Sequence, residues 1–194
     1  MIKKDGNTMI IDTFRDLKSS SAEFNKAKRK TVKLIVKSAE HDQKVIDIIN
    51  TLKEMRDLEW VEIQNPDAKL CSIDGMLYSR NGKNLYFCAR AGAVEIPDGT
   101  KTICEGAACN CMLSELVIPD SVKYIKNFAF FGSYMLEEVK GGSGITDIED
   151  SVFLNCVRLK KFNIGKNMKH IGDRAFANTG LTEINLPDGL KSVG

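Results

Sequence analysis

The feature that most constrains this chain is a repeat. From Leu113, the stretch LSELVIPDSVKYIKNFAFFGSYM is followed by copies opening at Leu136 and Leu159. A shortened copy opens at Leu181, and a degenerate one can be laid back to Ala91. The steps between copies, 23, 23 and 22 residues, are the length of one solenoid coil. Three positions into each copy stand Val94, Leu116, Val139, Phe162 and Ile184; twelve positions in stand Ile103, Ile125, Ile148, Ile171 and Val193. In a chain that is 43% apolar, such a run of hits has a chance of roughly 2 in 10,000.

Each coil position has a physical role. Leu113, Leu116 and Ile118 alternate as the buried side of a short strand. Proline six positions in (Pro97, Pro119, Pro187) ends that strand, because it cannot donate to a ladder. Asp-Gly or Asp-Ser next to it supplies turn chemistry. Val122 and Ile125 form a second extended piece facing the same interior. The pairs Ala129-Phe130, Val152-Phe153 and Ala175-Phe176 set a small residue beside a large one, which predicts one helical turn. Stacked coils place like residues over one another, so one apolar column runs through the array.

The pattern L-x-x-[LVI]-x-[IL]-P-[DS]-x-[VL]-x-x-I-x-x-x-A-F-x-x-[CT] resembles the BspA-like leucine-rich repeats of bacterial surface proteins. Asp74 to Ile103 resembles the hairpin that often precedes such arrays, so the likeness spans about residues 74–194. It departs at Ala107-Ala108, which lacks the usual Phe, at Gly141-Gly142, which replaces Ile-Pro, and in the half-finished last coil. The resemblance implies an α/β fold: a right-handed leucine-rich-repeat-like solenoid with a parallel sheet. It also implies a surface protein, some relatives binding host matrix proteins.

The rest of the chain fits a cap. Residues 1–9 read as a loose terminus. Ile10, Phe14, Leu17 and Phe24 fit a helical stripe with Asp12 as its cap. Thr31–Lys37 is a strand, Ser38 opens a helix with Glu40 and Asp42 in its first turn, and Leu58–Ile63 is a second strand. Strand, helix, strand predicts a parallel pair, and that pair is expected to prefix the sheet of the coils. The domains are therefore an α/β capping region, 1–57, and a solenoid, 58–194, with a hairpin over 74–88 turning at Asn81-Gly82. Coils start near 91, 113, 136, 159 and 181. The basic run Lys26–Lys30 reads as a solvated helix end.

Charge and composition narrow the function. There are 28 basic and 26 acidic residues, a balance with no footprint for nucleic acid. No run of about eighteen apolar residues predicts a membrane span. The opening MIKKDGNTMIIDTF lacks the apolar core of a signal peptide, which leaves a cytoplasmic protein or an export signal outside this sequence. The unfinished coil fits a longer parent chain. Six cysteines invite a disulfide or zinc reading, but Cys111 and Cys156 share a repeat position with Ser133 and Thr179. That marks a small buried site, so buried thiols are expected, with no metal and no other cofactor.

No catalytic motif is present, and His41 and His170 stand without a nucleophile or carboxylate at readable spacing. Asp147, Glu149 and Asp150 lack the spacing of a calcium loop. What remains is surface. Two and four positions into each coil the side chains point outward: Ala93/Glu95, Glu115/Val117, Glu138/Lys140, Lys161/Asn163 and Glu183/Asn185. The same register places Trp60, the one tryptophan, and Glu62 outward on the cap, with the tryptophan either free for a partner or covered by the first helix or the hairpin. The candidate partner-binding face is thus Trp60, Glu62, Glu95, Glu115, Glu138, Lys140, Lys161 and Glu183, acidic near the cap and basic beyond it. The expected function is a monomeric, non-enzymatic protein-binding or adhesion module, at the surface or secreted, with a host or matrix protein as ligand. An intracellular scaffold or regulatory repeat domain is the alternative.

Overall fold

The computed structural model of the chain describes residues 2–17, 22–38 and 45–194. These fall into two compact units, Met1–Asn81 and Gly82–Gly194.

In the first unit the terminus is ordered as strands. β1 (Ile2–Asp5) turns back through Gly6-Asn7 onto β2 (Thr8–Ile11), antiparallel. Met9 and Ile11 are buried by strand alternation, so the expected helix from Ile10 does not form. Short apolar runs fit both periods, and here pairing decides: β2 lies parallel to β3 (Lys33–Val36). Phe14 sits in a single 3-10 turn, Phe14–Asp16. Its N-cap is Thr13 and not Asp12, and the Asp16 carboxylate inside the turn accepts from the Asp12 and Thr13 N–H groups. A short helix, α1 (Ala22–Ala27), follows. Phe14, Leu17 and Phe24 still reach the core.

The strand–helix–strand unit is present. α2 (Val45–Lys53) buries Ile48, Ile49 and Leu52, and β3 pairs parallel with β4 (Trp60–Ile63). The expected helix start at Ser38–Asp42 lies largely outside the described residues. The expected continuity with the coil sheet is overturned, because β3 and β4 belong to a separate sheet of order β1-β2-β3-β4. The reason lies at the outer edge of β4. A hairpin of β5 (Leu70–Ile73) and β6 (Met76–Ser79) turns at Asp74-Gly75. The Val61 N–H donates to the Gly75 carbonyl at 2.8 Å and the Ile63 N–H to Ser72 Oγ at 2.9 Å. That edge has no room for a coil strand.

The second unit is the solenoid. Its strands are β7 (Asn84–Phe87), β8 (Gly92–Glu95), β9 (Thr102–Ile103), β10 (Leu113–Ile118), β11 (Tyr124–Ile125), β12 (Glu138–Gly141), β13 (Asp147–Ile148), β14 (Lys161–Phe162), β15 (His170–Ile171) and β16 (Ser192–Val193). One parallel ladder runs β8-β10-β12-β14; another runs β7-β9-β11-β13-β15-β16. The predicted second extended piece is thus the second ladder. Its columns are buried: Leu113, Val122, Ile125 and Phe153 are each 0% exposed.

A third bonded side replaces the expected helical turn. The Phe128, Phe130 and Gly132 N–H groups donate to the carbonyls of Asp150, Val152 and Leu154 in the next coil, at 2.9 to 3.1 Å. Local bonds, Ala129 to Lys126 and Phe131 to Phe128, alternate with them. Two residues per coil take left-handed φ to allow this: Gly106, Phe128, Ser151 and Arg174 in one column, Asn110, Gly132, Asn155 and Asn178 in the other. Every second amide then points along the stack, which a helix cannot arrange. On this side Phe130 and Phe153 stack at 5.2 Å, and Phe153 and Phe176 at 5.4 Å.

Candidate functional site

The outward face of β8, β10, β12 and β14 is built by strand register. Ala93, Glu115, Glu138 and Lys161 align in one row, and Glu95, Val117 and Lys140 in the next. Direct pairing sets Glu138 beside Lys161 but also beside Glu115, and Lys140, one row over, reaches diagonally to both glutamates. Lys140 Nζ meets Glu115 at 2.7 Å and Glu138 at 3.7 Å, and Lys161 meets Glu138 at 3.8 Å. The hydrogen bond from Lys140 to Glu115 raises the lysine above its ordinary value. These charges form a mutually paired network over the last strands in place of a bare acidic-to-basic gradient. Glu95 is exposed on β8, and Glu183 is exposed beyond β14, on a segment with no strand of its own.

Trp60 and Glu62 lie on β4, in the first unit, and share no sheet with Glu95 or Glu115. Glu62 accepts from Lys33 at 2.6 Å, and that hydrogen bond holds its carboxyl below the ordinary value. The Trp60 ring lies against the hairpin turn: a Cβ on Gly75 would stand 2.5 Å from ring atoms Cδ2 and Cε3. The turn thus covers part of the tryptophan, which stays half-buried.

Beyond β12 a groove of about 480 Å³ opens between β14 and the last strand-like segment, with Glu138, Lys140, Lys161, Asn163, Glu183 and Asn185 among its walls. Neither it nor an exposed apolar column on the turn side was legible by motif. That column holds Met112, Tyr134 and Val157, at 55%, 46% and 48% exposure, twenty-one positions into three successive coils. Their like spacing was the available signal.

The coil-corner carboxylates Glu149 and Asp150 are structural. Glu149 binds Lys126 at 2.5 Å and caps the Asn127 N–H, and Asp150 accepts the Asp173 N–H. His170 Nδ1 is 2.9 Å from Ser192 Oγ; His41 lies outside the described residues. Among the described residues no cluster of three or more His, Cys, Asp or Glu could hold a metal, and no helix is long and apolar enough to cross a membrane.

The small-residue column also has a chemical reason. Cys111 Sγ, Ser133 Oγ and Cys156 Sγ each donate to a carbonyl of the preceding coil: Cys88 at 2.8 Å, Ala108 at 2.9 Å and Phe130 at 3.1 Å. The position requires a short donor as well as small size. Burial raises Cys88 and Cys104 from 9.0 to about 11 and Cys156 to about 12. Between pH 9 and these values the unfolded chain sheds thiol protons that the folded chain keeps, so stability falls as pH rises. The melting midpoint is therefore expected to drop between pH 8 and pH 10, and Cys156→Ser, which keeps the donor, to melt within about 1 kcal/mol of wild type while flattening that drop. A midpoint independent of pH over this range would contradict the burial of these thiols.

Stacked coils with parallel ladders around a leucine, isoleucine and phenylalanine column define a leucine-rich-repeat solenoid, a repeat module for protein interaction. Residues 81–194 match the profile of the BspA type leucine rich repeat region, in six copies. The chain belongs to that family. Among solved structures it is similar to the pneumococcal vaccine antigen PcpA, with TM-score 0.63, 22% identity, and 68% of this chain over 34% of that one. It is likewise similar to a leucine rich cell surface protein from Faecalibacterium prausnitzii, with TM-score 0.63, 24% identity, and 83% over 46%. A leucine-rich repeat protein from Bacteroides ovatus gives TM-score 0.52 at 25% identity, with 63% over 34%. The chain thus spans between a third and a half of the length of these structures. No curated protein matches it.

Proposed function

We propose that this chain is a non-catalytic protein-binding module, displayed at the cell surface or secreted, whose ligand is a host or matrix protein. The carrying observation is the outward face of β10, β12 and β14, where a rigid parallel register holds the ion-pair network of Glu115, Lys140, Glu138 and Lys161. Such a face presents fixed charges at fixed spacing, which favours orientation and salt-sensitive association over raw affinity. Family membership and the surface location of a structural relative support the reading. Glu95 and Glu183 extend the face. Trp60 and Glu62 are proposed as a separate contact of the first unit, since tryptophan favours binding hot spots.

The test is to pan a displayed protein library on the chain and measure the recovered binders against Glu115→Lys/Lys140→Glu. This double swap exchanges the charges of that pair and keeps it attractive, while giving up only the weaker exposed Lys140–Glu138 contact. Affinity is expected to fall about tenfold with an unchanged melt, and wild-type binding to weaken as salt rises. Binders that ignore the swap but are lost on Tyr134→Ala would move the site to the turn-side column of Met112, Tyr134 and Val157. That second reading rests on the exposure of three stacked apolar residues.

A further inference from the structure

The sequence from Leu181 to Pro187 repeats the strand motif of the earlier coils, yet it does not join the sheet. In the preceding steps the Glu137 N–H donates to the Ser114 carbonyl at 2.9 Å and the Lys160 N–H to the Glu137 carbonyl at 3.0 Å. Among the described residues no such bond runs from Thr182 to Lys160. The separation is confined to this side. On the other ladder the same coil is stacked normally, β15 pairing β16 and the Lys191 N–H donating to the Lys169 carbonyl at 2.8 Å. The groove described above lies in that gap, lined by β14 on one wall and by Leu181, Glu183 and Asn185 on the other.

From this geometry we infer that β14 is an acceptor edge for an added strand, and that the ligand is an extended acidic peptide segment pairing with it. The inference rests on the reading of the chain as a protein-binding module and names the mode. An unpaired edge offers backbone donors and acceptors in strand register, which is how peptide segments add to sheets. Charge selects the segment: Lys140, Lys160 and Lys161 on the groove lining outnumber Glu138 and Glu183. Lys161 is 74% exposed and its carboxylate, Glu138, is 3.8 Å away and shared with Lys140. Lys160, beside it, has no ion pair among the described residues. Asn163 and Asn185 can donate to and accept from the added backbone. Strand side chains alternate, so carboxylates placed over Lys161 leave the intervening residues against Ile164 and Leu181, which are apolar and half-buried. The ligand class is therefore an extended segment in which acidic residues alternate with aliphatic ones.

The probe is an acetylated, amidated heptapeptide of alternating glutamate and valine, titrated into the whole isotope-labelled chain and followed by amide chemical shifts and hydrogen exchange. Shifts and new protection are expected at residues 160–164 and 183–185. A lysine-for-glutamate analogue should bind at least about tenfold more weakly, as should the acidic peptide to Lys160→Glu/Lys161→Glu. Only one edge of the peptide pairs, so N-methylation of either the glutamate or the valine nitrogens, but not of both sets alike, should abolish binding. Amides 160–164 that do not move, or binding that survives both methylations, would overturn the proposal. So would protection of the Thr182 and Glu183 amides in the free chain, because the gap would then be closed by the chain itself. Loss of a panned partner in the Glu115/Lys140 swap, with no peptide response at β14, would overturn this mode and leave the module reading standing.

Discussion

Phe153→Ala is expected to lower the stability of the solenoid by about 3–5 kcal/mol, more than any charge substitution on its sheet face. The side chain is 0% exposed. It is the middle ring of a stack, 5.2 Å from Phe130 with planes 4° apart and 5.4 Å from Phe176 at 13°, with Phe162 at 5.4 Å against its side. Truncation removes the partner of three rings at once. The cavity cannot collapse readily, because the backbone around it is held to both neighbouring coils: the Phe153 N–H donates to the Ala175 carbonyl at 2.8 Å and the Phe130 N–H to the Val152 carbonyl at 3.0 Å. In a solenoid each coil touches only its neighbours, so a defect in the middle uncouples the two sides. The expected midpoint shift is about 10 °C or more. Lys161→Ala, at an exposed position, should stay within about 0.5 kcal/mol of wild type. A Phe153→Ala midpoint within about 2 °C of wild type would refute the burial of this column.

The column was legible because stacking forces like positions into like environments, so five weak apolar signals add. The same repetition exposed the outward rows, and strand register confirms their alignment from Ala93 to Lys161. The turn side was harder. Gly106, Phe128, Ser151 and Arg174 share a left-handed backbone although only the glycine favours it, because the inter-coil bonds impose the conformation on whatever residue stands there. The companion column, Asn110, Gly132, Asn155 and Asn178, did carry a signal, as asparagine and glycine are the residues that accept it readily. At the N-terminus, Ile10, Phe14 and Leu17 fit a helical stripe as well as a strand followed by a turn, and only the partner strand β3 discriminates. The separate sheet of the first unit was hidden for a similar reason. What blocks β4 is the hairpin at Asp74-Gly75, and its effect on a strand that ends at Ile63 is a tertiary event. The gap beside β14 is the clearest limit: Leu181, Ile184 and Leu186 read like every other copy, and no local residue announces that their strand stands apart.

Restoring the repeat consensus should be harmful at one position. Two coils end their strand in Ile-Pro, at Ile96-Pro97 and Ile118-Pro119, whereas β12 ends in Gly141-Gly142. A reading by consensus would make Gly141→Ile stabilising, since it fills the column beside Ile118 with a strand-favouring residue. The backbone says otherwise. Gly141 and Gly142 have φ of +76° and +71°, where a β-branched residue is strained by about 1–3 kcal/mol. Space adds to this, because a Cβ on Gly141 would stand 2.3 Å from the Ile118 carbonyl oxygen. That oxygen is fixed, accepting the Gly142 N–H at 2.7 Å, so relieving the clash breaks the bond that closes the turn. The glycine pair then leads the chain through Ser143, whose N–H donates to Asp120 Oδ1 at 3.0 Å, to Ile145, which is 1% exposed beneath the place Val122 holds one coil earlier. Gly141→Ile is expected to cost at least about 3 kcal/mol, and the milder Gly141→Ala to lower the melting midpoint measurably should the isoleucine variant fail to fold. A Gly141→Ile protein melting at or above wild type would mean that β12 can end as its neighbours do, and that the left-handed pair is not what shapes this coil.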